Sequence, residues 1–302
     1  MGAADVVPGV SGGTIAFITG IYQELINSIK SVNLSSLKLL FSGKIKDFWK
    51  AINANFLFSV ITGIGISVLS LAKLMKYLLD HQPILIWSFF FGLVVASAIY
   101  VAKDIKAWKA GTIISLLAGI SVAYTITVIT PAEAHTGYGF IFISGAIAIC
   151  AMILPGISGS FILLLLGMYK FILGALSDFN FPVIIVFLAG AAIGIVSFSN
   201  ILSWLLKRYY NLTIAILSGF MIGSLNKVWP WKEVIETFTD RHGEIKPLIE
   251  KNVLPGRYLE VTGHDSQLFF AVSLAIFGFA LIFIIEGVTR QLKNRQKLKG
   301  RE

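Results

Sequence analysis

The chain is poor in the residues that keep a folded protein in water. Only 14% of its 302 residues are Asp, Glu, Lys or Arg, against 56% hydrophobic ones, and a water-soluble fold of that balance would expose far more apolar surface than its charges could interrupt. Cysteine is nearly missing. Cys150 stands alone, which excludes an internal disulfide and leaves a small packing residue in an apolar stretch. Acidic residues are also scarce, 16 against 25 Lys and Arg, for a formal net charge of +9. A nucleic-acid partner does not follow, because the basic residues fall between apolar runs and in the C-terminal tail, where membrane proteins place them for orientation. His242 and His264 have no cysteine or ligand-spaced partner, so neither a metal nor another cofactor is expected.

Long uncharged stretches are what the chain has in abundance. Runs at 56–72, 82–102, 110–132, 182–206, 209–226 and 266–285 each approach, with their flanks, the roughly 20 residues that cross a hydrocarbon core. They predict an all-α polytopic membrane protein with six spans. Two further apolar tracts, 6–22 and 136–169, contain the near-identical hexapeptides PGVSGG (8–13) and PGISGS (155–160).

Those hexapeptides belong to an internal repeat. A shift of 147 residues superimposes Pro8, Gly9, Ser11, Gly12, Gly20 and Tyr22 on Pro155, Gly156, Ser158, Gly159, Gly167 and Tyr169. Downstream, a shift of 127 pairs Gly63 with Gly190, Ser70 with Ser197 and Gly92 with Gly219. Basic residues then set the orientation. Lys30, Lys38, Lys44, Lys46 and Lys50, the group Lys103, Lys106 and Lys109, the pair Lys207 and Arg208, and the tail 288–302 all read as cytoplasmic. The connections 80–83, 130–137 and 177–181 contain neither Lys nor Arg and read as external.

Threading these assignments predicts an inverted repeat of two units, 1–137 and 138–302, each a helical hairpin, either re-entrant or fully crossing, followed by three transmembrane helices. The C-terminus falls in the cytoplasm. The first hairpin reads as truncated, since seven residues precede Pro8 where Tyr138–Leu154 precede Pro155, and a longer working form is expected. The polar segment 230–265, broken by Pro230, Pro247 and Pro255, reads as an external cap with a solvated, mixed-charge surface.

Proline stops a helix by removing a donor and crowding the preceding turn, so Pro8-Gly9 and Pro155-Gly156 are expected helix breaks and hinges. New helices should start behind them, with Ser11 and Ser158 as N-caps. Free N–H groups at a helix start, helped by its dipole, can hold an anion without a basic side chain. Two such starts facing each other near the bilayer midplane resemble the way transporters hold anionic substrates. The expected substrate-binding residues are Ser11, Gly12, Gly13, Thr14, Ser158, Gly159 and Ser160. Close helix packing is the competing reading, and it is assigned to Gly190-x-x-x-Gly194 and Gly219-x-x-x-Gly223.

The stretches GAADVVPGVSGGTIAFITGIYQELI (2–26) and ILPGISGSFILLLLGMYKFIL (153–173) make the chain similar, along essentially its whole length, to the bacterial polyprenyl-phosphate transporter family. The resemblance implies a flippase in the bacterial cytoplasmic membrane. It would return undecaprenyl phosphate from the outer to the inner leaflet, so that this carrier lipid serves again in peptidoglycan and other envelope synthesis. Asp5 is read as a site for a coupling H⁺ or Na⁺, with an interfacial role as the alternative. Tyr22 and Tyr169 read as interfacial anchors, and Glu24 as a residue near the cytoplasmic surface.

Two other functions compete. A small-anion channel or exchanger could use similar helix starts, but the spans offer few polar positions for a continuous pore. A membrane polyprenyl-pyrophosphate phosphatase also carries Pro-Gly-x-Ser, followed in that family by an arginine and accompanied by paired glutamates. Gly12 and Gly159 occupy the arginine's place here and no such glutamate pair exists, so an enzyme is not expected.

Overall fold

A backbone surrounded by hydrocarbon must satisfy its own N–H and C=O groups, and the apolar runs do so by winding into helices. The computed structural model describes residues 1–2, 11–129, 135–239 and 245–299. Helices α1 (Gly12–Ile18) and α2 (Tyr22–Lys30) come first, then the short α3 (Leu34–Phe41) and α4 (Ile45–Ala51). The long α5 (Ala54–His81), α6 (Pro83–Ala102) and α7 (Ala110–Val128) complete the first half. The second half opens with α8 (Tyr138–Ile153) and then repeats the order with α9 (Gly159–Leu165), α10 (Tyr169–Ser177), α11 (Phe181–Arg208) and α12 (Tyr210–Ser224). Strands β1 (Lys232–Thr239) and β2 (Ile245–Asn252), α13 (Pro255–Thr262) and α14 (Leu268–Lys299) follow.

Among the described residues, Ala54–Leu71 of α5, α6, α7 and α11 are long and apolar enough to cross a membrane. α8, α12 and Leu268–Ile284 of α14 are shorter apolar helices. Prolines open α6, α11 and α13, where a missing N–H costs nothing.

The repeat in the sequence is a repeat of elements. α1 and α9 are both 7 residues long, α2 and α10 both 9, and α5 and α11 both 28. Gly20 and Gly167, at matching turns, have φ of 72° and 68°, a left-handed conformation that glycine adopts without strain. Packing follows the same pattern. α6 lies along α14 and α12 along α7, and both pairs close on glycines. A Cβ on Gly92 would strike the carbonyl of Ala275, and one on Gly278 that of Phe89. Equivalent clashes await Gly219 at Leu116 and Gly119 at Ile216. α11 is drawn against α8 in the same way by Gly190, Gly194 and Gly145, so the glycine spacings assigned to packing do pack.

The segment 230–265 departs from the all-helical expectation. β1 and β2 pair antiparallel with an irregular register between Val234 and Thr237, and α13 follows them. A two-stranded hairpin is marginal alone and needs an apolar support. Here Trp231 packs with Ile84, Tyr258 and Ala271, its Nε1 donates to the Ser266 carbonyl at 2.8 Å, and Trp229 Nε1 donates to Val253 at 2.9 Å. Pro247 is tolerated because a two-stranded sheet has only edge strands.

Candidate functional site

The two hexapeptide regions meet, and they do so by trading one helical hydrogen bond for two across the repeat. α8 stops at Ile153 because Pro155 pushes Leu154 out of the helical region, to φ −68° and ψ 127°. Gly156 then takes φ 88°, and a side chain there would meet Ser224 Oγ at 2.8 Å and the Met221 Cα at 3.0 Å on α12. Had the helix continued, the N–H of Gly156 would have bonded the carbonyl of Met152. Instead the Ser11 hydroxyl donates to the Met152 carbonyl at 2.9 Å, and the Gly156 N–H donates to Thr14 Oγ1 at 3.2 Å. Gly13 lies against the Ile153 carbonyl, with no room for a Cβ, and the Tyr22 hydroxyl donates to that same carbonyl at 3.2 Å.

Both expected N-caps are present. Ser11 is extended, and its Oγ accepts from the Gly13 N–H at 3.0 Å. Ser158 is extended, and its Oγ accepts from the Phe161 N–H at 3.3 Å. Ser11, Thr14 and Ser158 are all buried, at 1%, 0% and 6% exposure, which for unpartnered hydroxyls would cost about 1–3 kcal/mol each. Ser11 and Thr14 recover that cost through bonds between the two halves, and Ser158 caps its own helix.

The expected binding residues thus divide into two groups. Ser11, Gly13 and Thr14 join Met152, Ile153 and Gly156. Ser158 and Ser160 lie together, their hydroxyls 3.3 Å apart, and Gly159 packs on the Ala148 carbonyl of its own hairpin. At Gly13 and Gly159 the missing Cβ therefore admits protein backbone in this structure. Pro8, Gly9 and Asp5 lie outside the described residues. Tyr22 corrects an expectation: it is 2% exposed and holds the second break from within the core, where an interfacial anchor would face headgroups. Glu24 is exposed and accepts from Asn53 Nδ2 at 3.0 Å.

Beside α9 lies a cavity of about 330 Å³, a feature the sequence reading missed. One wall is apolar, with Val128 and Ile129 at the end of α7 and Phe161, Leu164 and Leu165 on α9. The other is charged. Lys227 and Lys232 donate to the same oxygen, Glu250 Oε2, at 3.0 and 3.3 Å, and the Lys232 side chain is 7% exposed. Lys227 also sits 4.9 Å over the Phe161 ring and Lys232 4.3 Å over Trp87. Burial pulls the Lys232 ammonium down to about 8 against the opposing pull of Glu250. Burial works to raise the Glu250 carboxyl, but the two ammonium groups outweigh it and hold it below its ordinary value. The interleaved charges of 230–265 suggested a solvated surface. The signal available was the run NKVWPWK (226–232), two lysines framing a pair of tryptophans.

Comparison with known proteins agrees with the motif. Residues 1–246 match the model of a family described as VCA0040-like, undecaprenyl phosphate translocase-like. A polyprenyl-phosphate transporter of Vibrio cholerae serotype O1 (strain ATCC 39315 / El Tor Inaba N16961) is 48% identical over 286 residues, 95% of this chain and 93% of that one. A polyprenyl-phosphate transporter of Staphylococcus aureus (strain NCTC 8325 / PS 47) is 34% identical over 249 residues, 76% of this chain and 83% of its own. No solved structure matches. With its several apolar helices the chain is an integral membrane protein, and it belongs to the undecaprenyl phosphate translocase-like family.

Proposed function

We propose that the protein moves polyprenyl phosphate across the bacterial cytoplasmic membrane, returning it from the outer to the inner leaflet for reuse in envelope synthesis, and that the phosphate is held between the two hexapeptide breaks. The observation that carries this reading is the exchange at Ser11, Thr14, Met152 and Gly156. The Ser11 hydroxyl and the Gly156 N–H are buried donors from the two halves, and each makes a long-range bond across the repeat, to Met152 and to Thr14. A phosphate oxygen can accept from the Ser11 hydroxyl and the Gly156 N–H once the halves part, with Gly12, Gly13, Ser158, Gly159 and Ser160 supplying further donors at the two helix starts. Pro8, Gly9, Pro155 and Gly156 serve as the hinges, and Asp5 as the site of a coupling H⁺ or Na⁺.

Packing supports the inverted arrangement. α10 lies at the beginning of α11, where Met168, Ile172 and Ala175 cluster with Val183. Its repeat partner α2 lies at the other end of α11, with Tyr22 and Ile26 against Leu202 and Leu206 and Ser203 donating to Asn27 Oδ1 at 3.2 Å. Equivalent helices therefore sit at opposite ends of one long helix. Ile141, near the start of α8, shares the Met168 cluster, as a hairpin that leaves on the side where it entered requires. The bend of 114° between α9 and the following helix fits the same reading. Lys207, Arg208 and the basic tail then lie in the cytoplasm, and the β hairpin outside.

The test is leaflet exchange of a fluorescent polyprenyl phosphate in proteoliposomes holding the full chain. Exchange should be fast in the wild type and fall about tenfold or more in Ser11→Ala. Chloride flux without lipid exchange would replace this reading with a channel. Phosphate release from polyprenyl pyrophosphate would replace it with an enzyme. Both relatives are named transporters, which favours carriage over hydrolysis.

A further inference from the structure

We infer that the cavity between α9, the end of α7 and the β hairpin is a receiving site in the outer leaflet for the phosphate monoester head of the lipid, distinct from the breaks and occupied before them. The identity of the lipid rests on the proposed function, while the chemistry of the site rests on the cavity itself.

The argument begins with charge. Lys227 and Lys232 share a single carboxylate oxygen, so the partly buried triad holds two positive groups against one negative one. An excess charge away from water is costly unless something balances it. The excess faces a cavity large enough for a phosphate group and the first isoprene units. A phosphate monoester carries roughly −1.5 to −2 near neutral pH, more than enough negative charge to balance this excess. Ordinary lysines on a solvated face would not be built in this way. Lys232 is almost wholly covered, held over Trp87 on one side and Glu250 on the other.

Shape points to a lipid-borne phosphate. The wall opposite the lysines is apolar, and at Val128 and Ile129 it is about half exposed, at 54% and 51%, so an isoprenoid chain attached to the bound phosphate can leave sideways into the membrane. Free phosphate would gain nothing from that wall. Position links the cavity to the breaks. Phe161, beneath Lys227, donates its N–H to the Ser158 cap, and Asn226 and Lys227 follow directly on α12, whose Ser224 stands beside Gly156. One turn of α9 separates the receiving lysine from the start of the second helix break.

The experiment uses the full chain in lipid nanodiscs and measures binding of farnesyl phosphate, inorganic phosphate and uncharged farnesol by calorimetry. Farnesyl phosphate should bind at least tenfold tighter than either single-feature probe. Lys227→Gln, which cancels the excess charge, should weaken it about tenfold, whereas the double variant Lys232→Gln/Glu250→Gln, which keeps the excess on Lys227, should stay within about threefold of the wild type. Arg257→Gln, on exposed α13, should bind like the wild type. In proteoliposomes given labelled lipid from outside, Lys227→Gln should raise the half-saturating lipid concentration and leave the saturating rate intact, whereas Ser11→Ala should lower the saturating rate. Equal binding of inorganic and farnesyl phosphate would overturn the lipid assignment. Wild-type affinity in Lys227→Gln would overturn the receiving site while leaving transport standing. A wild type that neither binds nor moves the lipid would remove the proposed function as well.

Discussion

The two breaks are written in almost the same six letters and are held in different ways. At the first, three polar side chains reach across to the other half: the Ser11 hydroxyl to Met152, Thr14 to Gly156, and Tyr22 to Ile153. At the second, the Ser158 oxygen caps its own helix at Phe161 and lies 3.3 Å from the Ser160 hydroxyl. The position matching Thr14, by the shift of 147, is Phe161, which carries no polar group and lies beneath Lys227. The first break therefore works as a clasp and the second as a surface approached by charge. Equal sequence gave each a helix start; the neighbours decided what each start does.

That contrast can be broken most forcefully at Gly13. Gly13→Ala places a methyl group in the Ile153 carbonyl, which is backbone and cannot turn aside, so leaflet exchange should fall to background, while the equivalent Ser160→Ala in the second break leaves most of it. Next comes the serine pair. Ser11→Ala strands the Met152 carbonyl and removes the cap from Gly13, costing about 1–3 kcal/mol, while Ser158→Ala removes the cap from Phe161, at about 1 kcal/mol. Thermal unfolding of the two variants should separate them in that order, and equal midpoints would erase the distinction between clasp and surface. Thr14→Val should cost stability and Thr14→Ser should restore it, because the Gly156 N–H needs only an oxygen. The smallest effect belongs to Tyr22→Phe, about 1 kcal/mol for one hydrogen bond with the ring packing on Phe17 retained, read as a slight fall in the unfolding midpoint.

Much of this architecture could be read in advance, for local reasons. Pro155 removes one donor and one conformation, so the end of α8 and the starts at Gly12 and Gly159 follow from neighbouring residues. The run at 82–102 exceeds α6 by one residue at its start, and 182–206 falls short of α11 by one residue at its start and two at its end. What could not be read depends on partners far away in the chain. Ser11 and Met152 are 141 residues apart, and nothing in either hexapeptide says that one will accept the other's missing bond. Tyr22 looked like a headgroup anchor because its distance from the break fits the interface, whereas Leu202, Leu206 and Ile214 close over it. The β hairpin was hidden by Pro247 and by charges that resemble a loop, its support coming from Trp231 and α13.

The repeat also shows where its symmetry ends. The glycine contacts align α14 with α7 at a shift of 159, since Ala275 answers to Leu116 and Gly278 to Gly119. The preceding helices align at 127, so 32 residues, the hairpin and α13, stand on one half with no counterpart on the other. A carrier built from two like halves would otherwise offer the same doorway to both leaflets. A fitting on one doorway alone can make capture there more frequent, but release through the same fitting is quickened in proportion, so the resting ratio of lipid between leaflets stays where it was. Lasting one-way traffic through such a gate needs a sink beyond it, in enzymes that consume the arriving lipid or in an ion gradient harnessed to the crossing.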